Sequence, residues 1–447
     1  MPNPKPLARV VGVGFGVAVA IGSTIGIGIL RLPAAVAHEI PSATGIMAVW
    51  LFGGVYAFAG ALQVIELGTM LPFGGGWYFY ARRAFGDYVG LVIGLGSWLS
   101  LVAALAQILV SIGDYTILFI PALTGRAQLI AVATLMVFTW IGTRGLRPAS
   151  LVQNVIASLE GLALVAFVAL CFTLPTHSEV LPAPTATALP HSTGKFAVIL
   201  SIVIAIQAVI NTYDGWYAPF FFTEEDREPS RNLPRSMLLG ILAIIAIYLL
   251  VNLALLYVLP IGTLANSRLP AADAGSAILG PASGATITLI SLVILLSIVN
   301  ALLLICSRIL FAMGRDGLLF KQTARTDARG TPSGGIYFTA LGTVALIISG
   351  TFDDLLTWSA SLGVLAYLSG YLAVIVFRRR HPEWPRPSKA WGYPWTTGFV
   401  VLVSLGFLIG IVIQDLRTSG YIAALLAATY TGYRLVIRSQ PTKKGKP

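Results

Sequence analysis

Two short stretches of this chain carry residue types able to bind a small polar molecule within an otherwise apolar sequence. The first is Gly22-Ser23-Thr24-Ile25-Gly26-Ile27-Gly28. Three glycines among hydroxyl-bearing and β-branched residues make a poor helix centre. The second is Asn211-Thr212-Tyr213-Asp214-Gly215-Trp216, with Pro219 just beyond, which again predicts an unwound centre. Where a helix unwinds, its fresh N-terminus offers N–H groups and a positive dipole end to an anion, and its fresh C-terminus offers carbonyls to a cation. In the first stretch the N–H end near Gly26 suits a carboxylate and the carbonyl end near Thr24 suits an ammonium. Asn211 and Thr212 supply a second pair of ends. An anion site beside a cation site fits a zwitterionic α-amino acid. The glycines have a second reading as close helix contacts, since Gly12–Gly16 and Gly22–Gly26 are both GxxxG.

Carboxylates in apolar runs are costly and point to function. Asp214 could pair with the side-chain ammonium or guanidinium of a cationic substrate, hydrogen-bond the open backbone at the break, or carry a proton. Glu160 is a candidate for a coupled proton, with a structural hydrogen-bonding role as the alternative. Glu66, six residues before Pro72, is expected to tie the loop bearing Arg82 and Arg83. Glu224, Glu225, Asp226 and Glu228 alternate with Arg227 and Arg231, as a solvated ion-paired loop or as a latch. The four histidines, His38, His177, His191 and His381, fall in predicted loops and suggest neither a metal site nor catalysis. Cys171 and Cys306 sit in apolar runs and give no disulfide framework. No cofactor is implied.

The elements that must position these groups follow from composition. Of 447 residues, 56% are apolar and 11% charged, against roughly 25% charged in a soluble domain; mean hydropathy is +0.84. A spanning helix takes about 20 apolar residues. Twelve runs qualify: Val10–Leu30, Ser42–Ile65, Tyr88–Gly113, Ala127–Thr143, Pro148–Leu174, Phe196–Thr223, Ser236–Ser267, Ala274–Ser307, Gly330–Phe352, Leu355–Phe377, Ala390–Gln414 and Thr418–Tyr433. The first reads as a retained helix rather than a secretory leader. With the N-terminus inside, 24 of the 29 Lys and Arg fall on the inner side and 5 on the outer. That bias predicts cytoplasmic N- and C-termini in the cell (cytoplasmic) membrane. The net charge of +11 thereby becomes a property of one membrane face, with lipid rather than nucleic acid as its partner.

The two predicted breaks stand in the first and sixth runs, five apart and hence in opposite orientation. This is the pattern of an inverted repeat with its site at the repeat interface. The expected fold is all-α and polytopic, a single transporter domain over 1–447: one repeat over about 10–174, a second over about 195–377, and two further helices over about 390–438. No HExxH, GxSxG or histidine at membrane depth supports an intramembrane enzyme. The isolated ionisable groups do not form the rings of a channel.

Four ordered segments resemble the amino acid–polyamine–organocation superfamily, closest to its L-type amino acid transporter branch. Gly22 to Ile29 resembles a GSxIGSGI signature. Glu66-Leu67-Gly68, Pro72, Gly74-Gly75, Tyr78, Tyr80 and Ala84-Phe85-Gly86 resemble ELGxxxPxxGGxYxYxxxAFG. Thr223-Glu224-Glu225, Pro229 and Arg231-Asn232-Leu233-Pro234 resemble TEExxxPxRNLP. Ser307-Arg308 with Phe311 to Gly317 resembles SRxxFAMARDG. The resemblance implies a LeuT-type five-plus-five inverted repeat with two extra helices, alternating access and amino acid substrates, with polyamines as the alternative. By the same resemblance the substrate carboxylate meets backbone amides of Gly26, Ile27 and Gly28. The α-amino group meets carbonyls at Thr24 and Asn211, and Trp216 helps to occlude the site. The run Tyr213-Asp214-Gly215-Trp216 resembles members carrying cationic amino acids. Three departures stand out. Ile27 replaces a usual serine. Glu160 takes the place, counted from Val152-Gln153, of a coupling lysine. No cysteine lies within Asp114–Arg126, where partner-bound animal members form a disulfide, so no disulfide-linked accessory subunit is expected.

Overall fold

A computed structural model describes residues 7–175, 195–280, 283–350 and 352–414, together with 420, 426–427, 429–431 and 433. Residues 176–194, between the fifth and sixth expected spans and including His177 and His191, lie outside the described residues. So does most of the expected twelfth span, Thr418–Tyr433.

Among the described residues the chain is helical, and its sole β feature is an isolated parallel bridge between Val11 and Asp226. Seven helices are long and apolar enough to cross a membrane. They are α3 (Ala43–Met70), α5 (Asp87–Phe119), α7 (Leu146–Thr173), α9 (Pro229–Val258), α12 (Ser283–Arg315), α14 (Phe352–Arg380) and α15 (Trp395–Gln414). Two helices bent by 48° at a short break, α1 (Val13–Thr24) and α2 (Gly28–Glu39), are together long and apolar enough for an eighth span, broken or re-entrant. Shorter apolar helices are α6 (Ala127–Thr143), α8 (Lys195–Thr212) and α13 (Ser333–Ser349). The chain is therefore a multi-pass membrane protein.

Lipid as solvent explains the side-chain distribution. On α7, Leu151, Val155, Leu159, Leu162 and Val165 are all exposed at helical spacing, while Gln153, Ala157, Glu160 and Leu164 face inward. The helix is thus apolar outside and polar inside, the reverse of a helix on a soluble protein. The interior is built around α1, which packs on α9, α7 and α12, while α5 packs on α14 and α12.

Several expected boundaries move. The first span does not stop at Leu30: α2 runs on to Glu39 with Pro33 inside it, which puts His38 in a helix rather than a loop. An amphipathic helix α4 (Trp77–Phe85), too short and polar to span, lies between α3 and α5. The expected span Ser236–Ser267 begins earlier, at Pro229, and gives way after Val258 to two short helices, α10 (Ile261–Asn266) and α11 (Pro270–Leu279). The expected span Ala274–Ser307 is displaced to α12. Arg308, expected in an inner loop, is consequently a buried helical residue. It can be one because an acid waits for it there, as described next.

Candidate functional site

The first break is where composition predicts it. Thr24 ends α1, Ile25 is extended (φ −74°, ψ 102°), and α2 starts at Gly28. The carbonyls that end α1 and the N–H groups that start α2 lack intrahelical partners by construction. The second break begins where α8 ends at Thr212. Turn residues follow, and the chain resumes as a 3-10 segment, Ala218–Glu225, rather than as an α-helix. The expected sixth span is thus α-helical in its first part only.

The two breaks touch. Gly215, at φ +113°, lies against the backbone of Ser23 and Thr24, where any Cβ would collide. The Ser23 hydroxyl reaches the Gly215 carbonyl at 2.9 Å. Gly28 faces the Thr212 side chain, and Gly26 faces Ile298. Tyr248 of α9 places its hydroxyl 2.8 Å from the Thr24 carbonyl oxygen and 2.9 Å from that of Thr212. The close-packing reading of the glycines also holds at particular positions: Gly16 meets Ser236, and Gly22 meets Gln153 and Ser297.

A cavity opens on the far side of the second break. Its walls include Trp77, Ser97, Ser100, Asn211, Asp214 and Tyr217. Asp214 is half-buried and Asn211 exposed. Asp214 Oδ1 and the hydroxyls of Ser97 and Ser100 are buried without hydrogen-bond partners, while the Tyr217 hydroxyl and the Gly215 N–H face the Asp214 carboxylate. Unpaired buried polar atoms cost free energy, and three of them around one cavity leave hydrogen-bonding capacity open to a polar ligand. Thr24, Ile25, Gly26, Ile27 and Gly28 do not line this cavity. The residues singled out in the sequence therefore divide into a backbone junction, where the breaks meet, and a side-chain cavity around Asn211 and Asp214. Trp216 is buried against Gly60 of α3 and 6.4 Å from the Tyr367 ring of α14. Tyr213 is wedged between Trp50 and Tyr248.

Glu160 is wholly buried, and neither oxygen has a hydrogen-bond partner; the Ser297 hydroxyl faces it. The α7 side chain seen to hydrogen-bond α1 is Gln153, not Glu160. Its amide nitrogen lies 3.4 Å from the Ala18 carbonyl and 3.2 Å from Ser297 Oγ, and its oxygen accepts from Asn300 at 2.8 Å. Gln153, Tyr248, Ser97 and Ser100 were not singled out from the sequence. Polar side chains spaced along apolar helices carry no signal of which way they face; the inward stripe of α7 gives the best available hint for Gln153.

The remaining motifs converge at the arginine-rich end of the bundle. Arg308 holds Glu225 through two 2.9 Å bonds. Arg315 holds Glu224, which also accepts from the Gly74 N–H at 2.8 Å. Asp316 takes Tyr78 and Arg82. Val10 and Val11 donate to the Glu225 carbonyl at 2.9 and 3.2 Å. Segments more than 200 residues apart thus form one hydrogen-bonded staple. A family model described as amino acid permease matches residues 16–431. The chain belongs to this family.

Among its relatives, the b(0,+)-type amino acid transporter 1 of Mus musculus is 27% identical over 422 residues, covering 92% of this chain and 84% of that one. The large neutral amino acids transporter small subunit 2 of the same species is 27% identical over 399 residues, with 86% and 73% covered. The serine/threonine exchanger SteT of Bacillus subtilis (strain 168) is 26% identical over 425 residues, with 93% of each chain covered. These relatives are transporters and not enzymes. In this permease two sequence expectations are corrected. Glu66 does not tie Arg82 and Arg83: it binds Arg378, Arg386 and the Ala390 N–H, because α3 ends beside α14 and the segment after it. Nor do the acids after the second break form a loop paired with Arg227 and Arg231. Only the Glu228–Arg231 pair is of that kind; Asp226 Oδ1 instead accepts from the Glu228 N–H and from the Asn232 side-chain amide.

Proposed function

We propose that the chain is a secondary-active amino acid transporter working by alternating access. It accepts cationic or broad-range L-amino acids, as an exchanger or a proton-coupled symporter, in the cytoplasmic membrane with both termini inside. The reading includes a LeuT-type fold with repeats over about 10–174 and 195–377 and two further helices. Amino acid transport by the relatives supports the substrate class. The observation that carries the cationic preference is the Asp214 carboxylate, one oxygen unpartnered, in a cavity shared with Asn211, Ser97 and Ser100. A substrate ammonium or guanidinium there gains a charge-assisted hydrogen bond. The α-carboxylate goes to the N–H groups at Gly26, Ile27 and Gly28, and the α-ammonium to the carbonyl ends at Thr24 and the second break. Trp216 closes over the bound molecule.

Glu160 supports a coupled proton as part of the same reading: ionising a carboxyl buried with no cation beside it among the described residues is costly, so its proton would leave only when transport opens the site to water. The test is purified protein in liposomes, offered a panel of labelled L-amino acids with and without internal amino acid and a pH gradient. Saturable uptake with counterflow is expected. Absence of both across the panel overturns the reading.

A further inference from the structure

A cavity of about 370 Å³ lies at the arginine-rich end of the bundle, where the α6–α7 turn meets the segment before α1 and the loop before α13. Its size suits a small ligand. Arg144, Arg147 and Arg329 line it. Arg308, Arg315 and Arg378 each hold a glutamate, whereas these three pair with no carboxylate among the described residues. The acids nearby are engaged elsewhere. Glu225 forms part of the wall, but Arg308 binds both of its oxygens. Asp327 Oδ1 accepts from the Arg329 and Thr331 N–H groups, each at 2.9 Å. The turn closed in this way brings Arg329 Nη1 to 2.6 Å from the Arg144 carbonyl oxygen. Like charges gathered around one cavity repel each other unless an anion sits among them. Guanidinium groups match the oxygens of a phosphate especially well.

The surface beside the cavity indicates what carries that phosphate. The Arg144 guanidinium lies over the Trp140 ring, 4.5 Å from its centroid, and Trp140 is exposed. Gly142 faces Ile336 where α6 packs on α13, and Tyr337, the next residue, is exposed too. Further along the two helices Met136, Val137 and Leu341 are exposed. Exposed Trp and Tyr backed by exposed aliphatic residues mark the headgroup level of a membrane. A basic pocket between helices at that level is a setting in which anionic lipid headgroups bind.

We propose that this cavity binds the phosphate of an anionic lipid headgroup through Arg144, Arg147 and Arg329, with the acyl chains lying along the exposed faces of α6 and α13. Inorganic phosphate offers the same oxygens but gains nothing from the flanking apolar surface, so the lipid binds more tightly. The cavity walls come from three separate stretches of chain, and a bound headgroup braces them against one another. The inference needs only that the chain spans a membrane, and it holds whichever substrate the Asp214 cavity takes.

The test uses purified full-length protein in dodecyl maltoside micelles, titrated with dioctanoyl phosphatidylglycerol, dioctanoyl phosphatidylcholine or sodium phosphate. Binding is read by microscale thermophoresis, and the melting temperature is followed in parallel. The wild type is expected to bind the phosphatidylglycerol at least about tenfold more tightly than either other probe, with a rise in melting temperature. The triple variant Arg144→Gln, Arg147→Gln, Arg329→Gln should weaken that binding at least about tenfold, in line with the loss of three basic contacts at a lipid surface, and should lose the thermal shift. The control variant Lys321→Gln, Arg325→Gln, Arg379→Gln removes three exposed charges outside the cavity and should bind within about twofold of wild type. Should the triple variant fail to fold, Arg147→Gln replaces it, with about threefold weaker binding expected. Equal weakening in the cavity and control variants, or unchanged binding in the cavity variant, overturns the site. Inorganic phosphate or phosphatidylcholine binding as tightly as phosphatidylglycerol overturns its assignment to an anionic lipid.

Discussion

Gly215 rests directly on the Ser23 carbonyl. Its backbone is at φ +113°, and a Cβ built there runs into Ser23 O, Ser23 C and Thr24 N, which are backbone atoms unable to swing aside. The Ser23 hydroxyl closes the contact from the other direction at 2.9 Å. Two helix breaks nearly two hundred residues apart are thereby one mechanical unit. Gly215→Ala adds a strained backbone costing about 1–3 kcal/mol to a collision that must part the breaks. Transport should fall more than about tenfold and the melting temperature should drop. Gly161→Ala is the control: it lies on α7 with open space around it, where alanine is the better helix former. Its melting temperature should hold or rise. Near-normal transport by Gly215→Ala would show that the breaks do not need each other.

Asp214 separates the two uses of a carboxylate at a helix break. If it pairs with a cationic side chain, its loss removes a charge-assisted bond worth about 1.5–3 kcal/mol, and each 1.4 kcal/mol is tenfold. Asp214→Ala should then cut arginine and lysine uptake at least about tenfold and leave leucine within about threefold. Equal loss for all three would assign Asp214 to the backbone of the break instead. Putrescine should compete with arginine more weakly than leucine does, since it has no carboxylate for Gly26 to Gly28.

Much of this arrangement is legible in the sequence because it rests on backbone. Glycine clusters and a mid-run carboxylate reveal where a helix cannot continue, and both breaks fall within the residues they mark. What stayed hidden rests on which way side chains face across the bundle. Nothing in the run around Tyr248 or Gln153 says that one bridges two carbonyls and the other reaches α1. Charge alternation misleads for a related reason. Glu225 looks paired with its neighbour Arg227 along the chain, yet its partner is Arg308, 83 residues on. Glu66 likewise skips nearby Arg82 for distant Arg378. In a helical bundle, packing outranks sequence proximity in choosing ion-pair partners.

Glu160 carries a prediction that separates chemistry from packing. Both of its oxygens are buried without partners, and no arginine or lysine pairs with it among the described residues. Glutamine is close to isosteric and breaks no ion pair, so Glu160→Gln should fold with a melting temperature within a few degrees of wild type. In liposomes its uptake should lose the pH dependence shown by the wild type. A pH profile that matches wild type would leave Glu160 as a packing residue.

Arg308 and Glu225 make the opposite case, a buried pair whose members depend on each other. Arg308 is 1% exposed and Glu225 1%. The guanidinium is further held by the Leu304 carbonyl and Ser307 hydroxyl and lies 5.0 Å from the Phe222 ring. Removing one partner strands a buried charge, at a cost of about 3–5 kcal/mol, whereas replacing both with apolar groups of similar size can be near neutral. Arg308→Met should therefore lower the melting temperature and the yield sharply. The double variant Arg308→Met, Glu225→Met should recover much of the loss, because the Val10 and Val11 amides bind the Glu225 backbone carbonyl, which the substitution leaves in place. Arg231→Ala, which breaks only the exposed pair with Glu228, should change stability by no more than about 0.5 kcal/mol. Additive losses in the double variant would mean that the two side chains act separately. In that case the backbone bonds of Val10 and Val11 would join the approach to α1 to the second break, with Arg315–Glu224 left as the link to α12.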